Sequence, residues 1–506
     1  MKKIMTRLLS LVLLGTFIPS FVLAADWNLD KGDITVSATA ENQTVSQAGG
    51  SPTVDHNPVI TSSSGKTNNT VTITAEKNAT ANVTLENVNI DTGTTGGAAI
   101  TTSGEGNVNI ELNGTNTVQS GNTHAGVEKK DNGTLTITDE NKDGSLTATG
   151  GNYGAGIGGG YEGSGSNIAI EGGKVKAIGG THGAGIGGGF GGSGSNIAIE
   201  GGKVEASSVG GGAGIGGGSL GSGSNITISG GEVTAQGGVG GAGIGGGQGG
   251  SGSNITISDG KVTATGAGAG AGIGGGYEGS GKGITIEGGE VTAQGDAGGA
   301  GIGGGISGTG SDVTISGDAQ VKVQGGTTGR DWHKGAAIGN GGTPTTDGNE
   351  VSPNTSDLKV GGFIQIYEPG KNINTDTPDR TIEGQKGDHS WNAGEVTAET
   401  VPESKAAAYW VSDSQGQSIP YQAQQKDGVL TVTVQADTAS LRGTTGSLRQ
   451  LEAQGVAEIR FVTNGAQSAF TLSDLLTSGT GSFTLTHDGD KVTFTLESTD
   501  ISGILK

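Results

Sequence analysis

The chain contains no cysteine. That absence excludes disulfides, thiolate nucleophiles, zinc–thiolate sites and a lipidated N-terminal Cys. Aromatic residues make up only 4 % of the chain, and no proline lies between Pro58 and Pro344. Proline removes a ladder hydrogen bond from a central strand, so its absence suits a long uninterrupted sheet. Beyond the first two dozen residues no apolar run approaches the length of a membrane span. Positive charge is scarce as well: 28 Lys and Arg face 49 Asp and Glu, for a net charge of −21. Phosphate backbones and anionic membranes need a basic surface, so neither is an expected partner.

Basic and apolar residues are concentrated at the start. Lys2, Lys3 and Arg7 precede an apolar run from Leu8 to Ile18, and Val22 and Ala24 stand at −3 and −1 of a cleavage after Ala24. This is the pattern of a secretory signal peptide. The mature chain is expected to be 25–506, with a net charge of −24 once the three signal cations are gone. A disulfide-free exported protein suits a bacterium. Secreted or non-covalently surface-associated is the expected location, since no "LPxTG"-type sorting signal is present.

Glycine is abundant, at 107 residues, and it is periodic. "GAGIGGG" occurs six times, its Ile falling at Ile157, Ile186, Ile215, Ile244, Ile273 and Ile302, always 29 residues apart. The spacing fits the G-x-G-x-x-G of dinucleotide loops, but such a loop is used once, between a strand and a helix. A motif repeated at a fixed period is architecture. Two more elements keep the period: "NIAI" or "NITI", starting at Ile168, and "VxA", starting at Val175. Each alternates apolar and polar residues, as a strand with one buried face does. Three short strands per 29-residue coil, with Ala155, Ile157, Ile168, Ile170, Val175 and Ala177 inward, predict an all-β right-handed parallel β-helix. Coils would stack about 4.8 Å apart.

Outward residues should form ladders. Asn167, Asn196, Asn225 and Asn254 are placed for amide-to-amide hydrogen bonds. Thr227, Thr256, Thr285 and Thr314 form a second row, and Lys203, Glu232, Lys261 and Glu290 alternate in charge. "GAAI" ending at Ile100, "HAGV" ending at Val127 and "GAAI" ending at Ile338 fill the Ile slot beyond the clean repeats. The expected division is an N-terminal cap at 25–65, the β-helix at 66–366 with "LKVGGFIQI" as last coil, and a linker or cap at 367–400. A small α+β domain at 401–506 follows. That domain should hold strands at 429–435 and 456–463, a short helix at 448–454 and a hairpin over 482–497 turning at Asp488-Gly489.

The stretches "LTATGGNYGAGIGGG", "GSGSNITISGGEVTAQGG" and "VTLENVNIDTGTTGGAAI" resemble Gly-rich secreted or surface β-helix proteins of gut-type Gram-positive bacteria. They are more distantly similar to the carbohydrate-binding β-helix domain family of cellulolytic clostridia. The resemblance covers roughly 66–340. It implies a calcium-containing β-helix that binds acidic plant polysaccharide or cellulose.

Three places could carry chemistry. "DENKDG" sets Asp139, Asn141 and Asp143 at alternate positions before Gly144, the first half of a calcium loop, although the twelfth position is Gly150 rather than Glu. A plain polar turn explains it too. Tyr153 and His182 are one period apart, as are Tyr161 and Phe190, with Glu162 alongside. Stacked aromatics beside a carboxylate form the preferred sugar-binding patch; turn variation over glycine is the simpler account. "GTTGRDWHKGAAIGN" breaks the period with seven extra residues and brings Arg330, Asp331, Trp332, His333 and Lys334 together as a ligand loop or an end cap. Catalysis is poorly supported, because the repeated strands carry Asn, Thr, Ala, Ser and Gly outward rather than paired acids. The leading expectation is a non-catalytic binder of extracellular polysaccharide, with calcium as candidate cofactor. Next come a structural or adhesive surface protein whose β-helix is a rigid spacer, with a protein partner at 401–506, and then a polysaccharide lyase or hydrolase.

Overall fold

A computed structural model of the chain describes residues 26–506, apart from 64, 131, 328–332, 344–345, 350–357, 361–362, 384–408, 414–418, 420, 427, 446–447, 449–450, 453–454, 479–481, 490 and 497–498. The chain divides into two compact units, Met1–Gly384 and Gln385–Lys506.

The first unit is a parallel β-helix. One coil of the clean repeat supplies Ile157–Gly158, Gly165–Ile170 and Lys174–Gly179. Each strand pairs with its counterpart one period on: Ile157 with Ile186, Ile168 with Ile197, Val175 with Val204. The three stacks become sheets of 13, 12 and 11 described strands. Inward residues of all three meet on the axis, where Ile157, Ile168, Ile170, Val175 and Ala177 are no more than 1 % exposed. The resulting core runs unbroken from Leu29 to Ile366. Each buried branched side chain contributes roughly 1.5–3 kcal/mol, and every coil adds the same set.

Glycine follows from the turn geometry. Gly158, Gly187, Gly216, Gly245, Gly274 and Gly303 all have φ between 130° and 135°. A Cβ on any of them would stand 2.0 Å from a carbonyl oxygen of the next coil. No L side chain fits there. A second turn needs a milder left-handed conformation, and Asn supplies it: Asn167, Asn196, Asn225 and Asn254 have φ of 51–56°. Their amides form the expected ladder, Asn196 to Asn167 at 3.0 Å, then Asn225 to Asn196 and Asn254 to Asn225 at 3.1 Å. The same slot holds Gly283 and Asp312 in the next two coils, also at positive φ. Of the expected charge ladder one rung forms an ion pair, with Lys203 Nζ 3.2 Å from Glu232 Oε1.

At the N-terminal end the coils begin before residue 66. Asp26–Asn28 pairs in parallel with Val59–Thr61, and Ile34–Ala38 with Val71–Ala75. Residues 25–65, expected as a separate cap, therefore contribute strands to the same sheets. Antiparallel strands Gln43–Gln47 and Thr53–Val54 then close the edge. These strands alternate without the 29-residue period, which hid them. At the other end Leu358–Val360 and Phe363–Tyr367 are the last parallel strands. Arg380–Glu383 folds back antiparallel on Phe363–Ile366, so part of the expected linker is a closing strand. Edge strands paired in this way no longer offer a free ladder.

The second unit has its own core around Phe461, Phe470, Phe483 and Phe494. One sheet joins Tyr409–Ser412, Thr438–Thr444, Ser482–Asp488, Lys491–Leu496 and Thr499–Asp500; the other joins Gln422–Lys426, Val429–Thr433, Glu458–Val462 and Gln467–Thr471. The hairpin turns at Asp488 and Gly489, the latter with φ 60°. Of the helix expected at 448–454, Leu448, Leu451 and Glu452 are helical and the other four residues lie outside those described; a helix not foreseen, Leu472–Ser478, buries Leu472 and Leu475.

Candidate functional site

Each coil of the clean repeat presents two turns on one edge, one entering the Ile-Gly strand and one leaving it. Backbone bonds tie them across coils: Phe190 N–H donates to Tyr153 O at 2.9 Å, Ser219 to His182 at 2.8 Å, and Gln248 to Gly211 and Tyr277 to Gly240 at 2.7 Å. Two rows of residues thus run side by side along the axis. Where both positions are aromatic, the rings must meet.

They do so at Tyr153, Tyr161, His182 and Phe190. Tyr153 stacks on His182 with centroids 5.2 Å apart and planes 13° apart; Tyr161 stacks on Phe190 at 5.7 Å and 14°. The two stacks meet edge-on, Tyr153 to Tyr161 at 5.5 Å and His182 to Phe190 at 5.2 Å. Such geometry satisfies the ring quadrupoles. Tyr161 remains 47 % exposed. His182 Nδ1 is buried without a hydrogen-bond partner, so in this cluster the imidazole works as a stacking ring. The negative charge of the Glu162 carboxylate beside Tyr161 raises the phenol above its ordinary value. Glu162 itself has φ 56°, at a turn where the next coil has Gly191. The five residues of this expected patch are therefore one physical site.

The other candidates lie elsewhere. In "DENKDG" Asp139 Oδ1 accepts from Gly144 N–H at 3.1 Å, and Asn141 Nδ2 donates to Asn113 Oδ1 at 3.2 Å. Lys142 takes the left-handed conformation, with φ 61°. Two of the three expected metal ligands thus hold the turn and the neighbouring coil, and Asp143 is exposed. Among the described residues no group of three or more His, Asp or Glu could hold a metal ion. Arg330, Asp331 and Trp332 lie outside the described residues. His333 Nδ1 stands 3.1 Å from Asp347 Oδ1, and Lys334 Nζ 3.3 Å from Glu368.

One charged cluster was not anticipated. Glu128 occupies the slot that Gly158 fills in the next coil, and its side chain is only 4 % exposed. His124 Nδ1 is 2.6 Å from one carboxylate oxygen and Lys130 Nζ 2.7 Å from the other. Ala125 N–H also donates to it, at 3.2 Å. A buried carboxylate needs such partners. It lies directly beneath Gly160, one residue from Tyr161. The signal was present in "HAGVEKK", which breaks the glycine run with three charges.

Comparison with known proteins agrees with the coil. The sequence model of the beta helix repeat family matches residues 142–161, 168–190, 197–219, 226–248, 255–277 and 284–306, one segment per coil. No curated protein and no solved structure matches the chain.

Proposed function

We propose that this parallel β-helix is an exported, non-catalytic carbohydrate-binding protein that recognises an extracellular polysaccharide. The observation that carries the reading is the four-ring cluster of Tyr153, Tyr161, His182 and Phe190, of which Tyr161 is 47 % exposed, flanked by Glu162. Sugar rings present apolar C–H faces to aromatic planes and hydroxyls to nearby carboxylates, and this edge offers both. The leader pattern at 1–24 and the likeness to Gly-rich surface β-helix proteins of gut bacteria support export. Calcium has little to hold it at Asp139, Asn141 and Asp143, so no step is assigned to it.

The test is retention on a panel of immobilised polysaccharides, with calcium and with chelator, assaying the same wells for released product. Retention without product is expected, and it should be lost when Tyr161 and Phe190 are both replaced by Ala. Absence of retention on every glycan would sink the proposal. A spacer carrying a partner-binding C-terminal unit is the second reading, favoured by the separate core of that unit. In that case removal of 401–506, and not of the aromatic rings, abolishes attachment. Product formation would instead direct attention to His124 and Glu128, the acid–base pair beside the cluster.

A further inference from the structure

We infer that the ligand is an uncharged, linear glycan lying parallel to the helix axis and spanning two Tyr–Glu turns, Tyr161–Glu162 and Tyr277–Glu278; this rests on the carbohydrate reading above. The sequence "YEGSG" occurs at both places, four coils apart, so both turns occupy the same slot on the same edge. Four steps of about 4.8 Å separate them by about 19 Å.

The glutamates of the two turns share one backbone conformation. Glu162 and Glu278 both have positive φ, 56° and 59°, while Gly191 and Gly249 occupy this slot in two of the coils between. A side chain in that conformation costs about 1 kcal/mol or more relative to glycine. Glutamate is nonetheless present beside each tyrosine in both turns, where its negative charge helps to raise the phenol above its ordinary value. The fold alone does not ask for it.

The edge between the stations carries exposed apolar side chains among its glycines. Val209, Leu220 and Val239 are 67 %, 63 % and 65 % exposed, three of the five exposed large hydrophobic residues among those described; Tyr161 is a fourth. Phe190 continues the Tyr161 stack, and Gln248 presents an exposed amide to ligand hydroxyls. An elongated polymer could cover this strip; a compact ligand would touch one end.

Charge selects the class of polymer. The turns of this edge, residues 151–163, 180–192, 209–221, 238–250 and 267–279, contain no Lys or Arg, and their acids are Glu162 and Glu278 alone. A polyuronate would bring its carboxylates to these two, and the neighbouring cation, Lys130 in the coil before Tyr161, is already paired with Glu128. A neutral glycan can use both as hydrogen-bond acceptors. Of the two ligand classes that the clostridial resemblance implies, this favours the uncharged one over the acidic one.

The experiment measures binding of neutral oligosaccharides of graded length, from the polymer that the panel retains, to wild type, Tyr161→Ala and Tyr277→Ala. Circular dichroism checks the coil, and sedimentation checks the oligomeric state. Affinity should rise with length until both stations are reached. Tyr277→Ala should then weaken the longest oligomers about 10-fold while leaving short ones unchanged, as for two linked contacts. Three results would overturn the inference: no effect of Tyr277→Ala at any length, tighter binding of polygalacturonate than of neutral chains in chelator, or a dimer that Leu220→Ser dissociates. Failure of the carbohydrate reading itself looks different, because then no glycan of any length or charge is held.

Discussion

Gly216 has φ 131°, and a Cβ there would stand 2.0 Å from the Gly245 carbonyl oxygen. Gly216→Ala should therefore cost about 2–4 kcal/mol, read as a lowered unfolding midpoint. Gly97→Ala, where nothing lies within 4 Å, should be neutral. At Asn225 two effects can be separated. Asn225→Ala loses two ladder bonds and strains φ 51°, whereas Asn225→Gly loses only the bonds. Alanine should thus be the worse substitution by about 1 kcal/mol in the same melt. Thr102 is fully buried, with a hydroxyl that has no partner. Thr102→Val should raise stability by about 1 kcal/mol, and a fall would show that the hydroxyl is in fact satisfied.

Among elements, the second unit offers a test by pH. His487 is fully buried between the Thr463 and Ser468 hydroxyls, at 3.1 and 3.0 Å. Burial disfavours the charged imidazole and lowers its pKa from the ordinary 6.5. The unfolded chain therefore binds a proton more readily than the folded one. This contribution is present above about pH 6.5 and is lost as the pH falls below it. Melts of this unit from pH 8 to pH 5 should show the loss, and a flat profile would contradict it. The repeated strands were legible in the sequence because one inward set, such as Ile168, Ile170 and Val175, recurs every 29 residues. The N-terminal strands Ile34–Ala38 and Gln43–Gln47 were not, because their short alternation has no counterpart one period away. The helix Leu472–Ser478 is brief and starts directly after a strand, so its apolar residues read as a continuation. In the candidate site, periodicity alone brought Tyr153, Tyr161, His182 and Phe190 together. The burial of Glu128 could not be read, since it depends on glycines leaving room in the following coil.

As a whole, the molecule combines two kinds of stability. The coils touch only their neighbours, so the β-helix sums nearly identical interfaces, while the second unit relies on one compact aromatic core. Calorimetry should resolve two transitions, and Gly216→Ala should move only one of them; a single transition moved as a unit would contradict this. The strict 29-residue period also bears on inheritance. Neighbouring repeats are so alike that an in-frame crossover between them deletes or duplicates one whole coil, and Ile still meets Ile and Asn still meets Asn at the seam. The coil count between Tyr161 and Tyr277 then acts as a heritable ruler, able to lengthen or shorten in single steps without inventing a new contact.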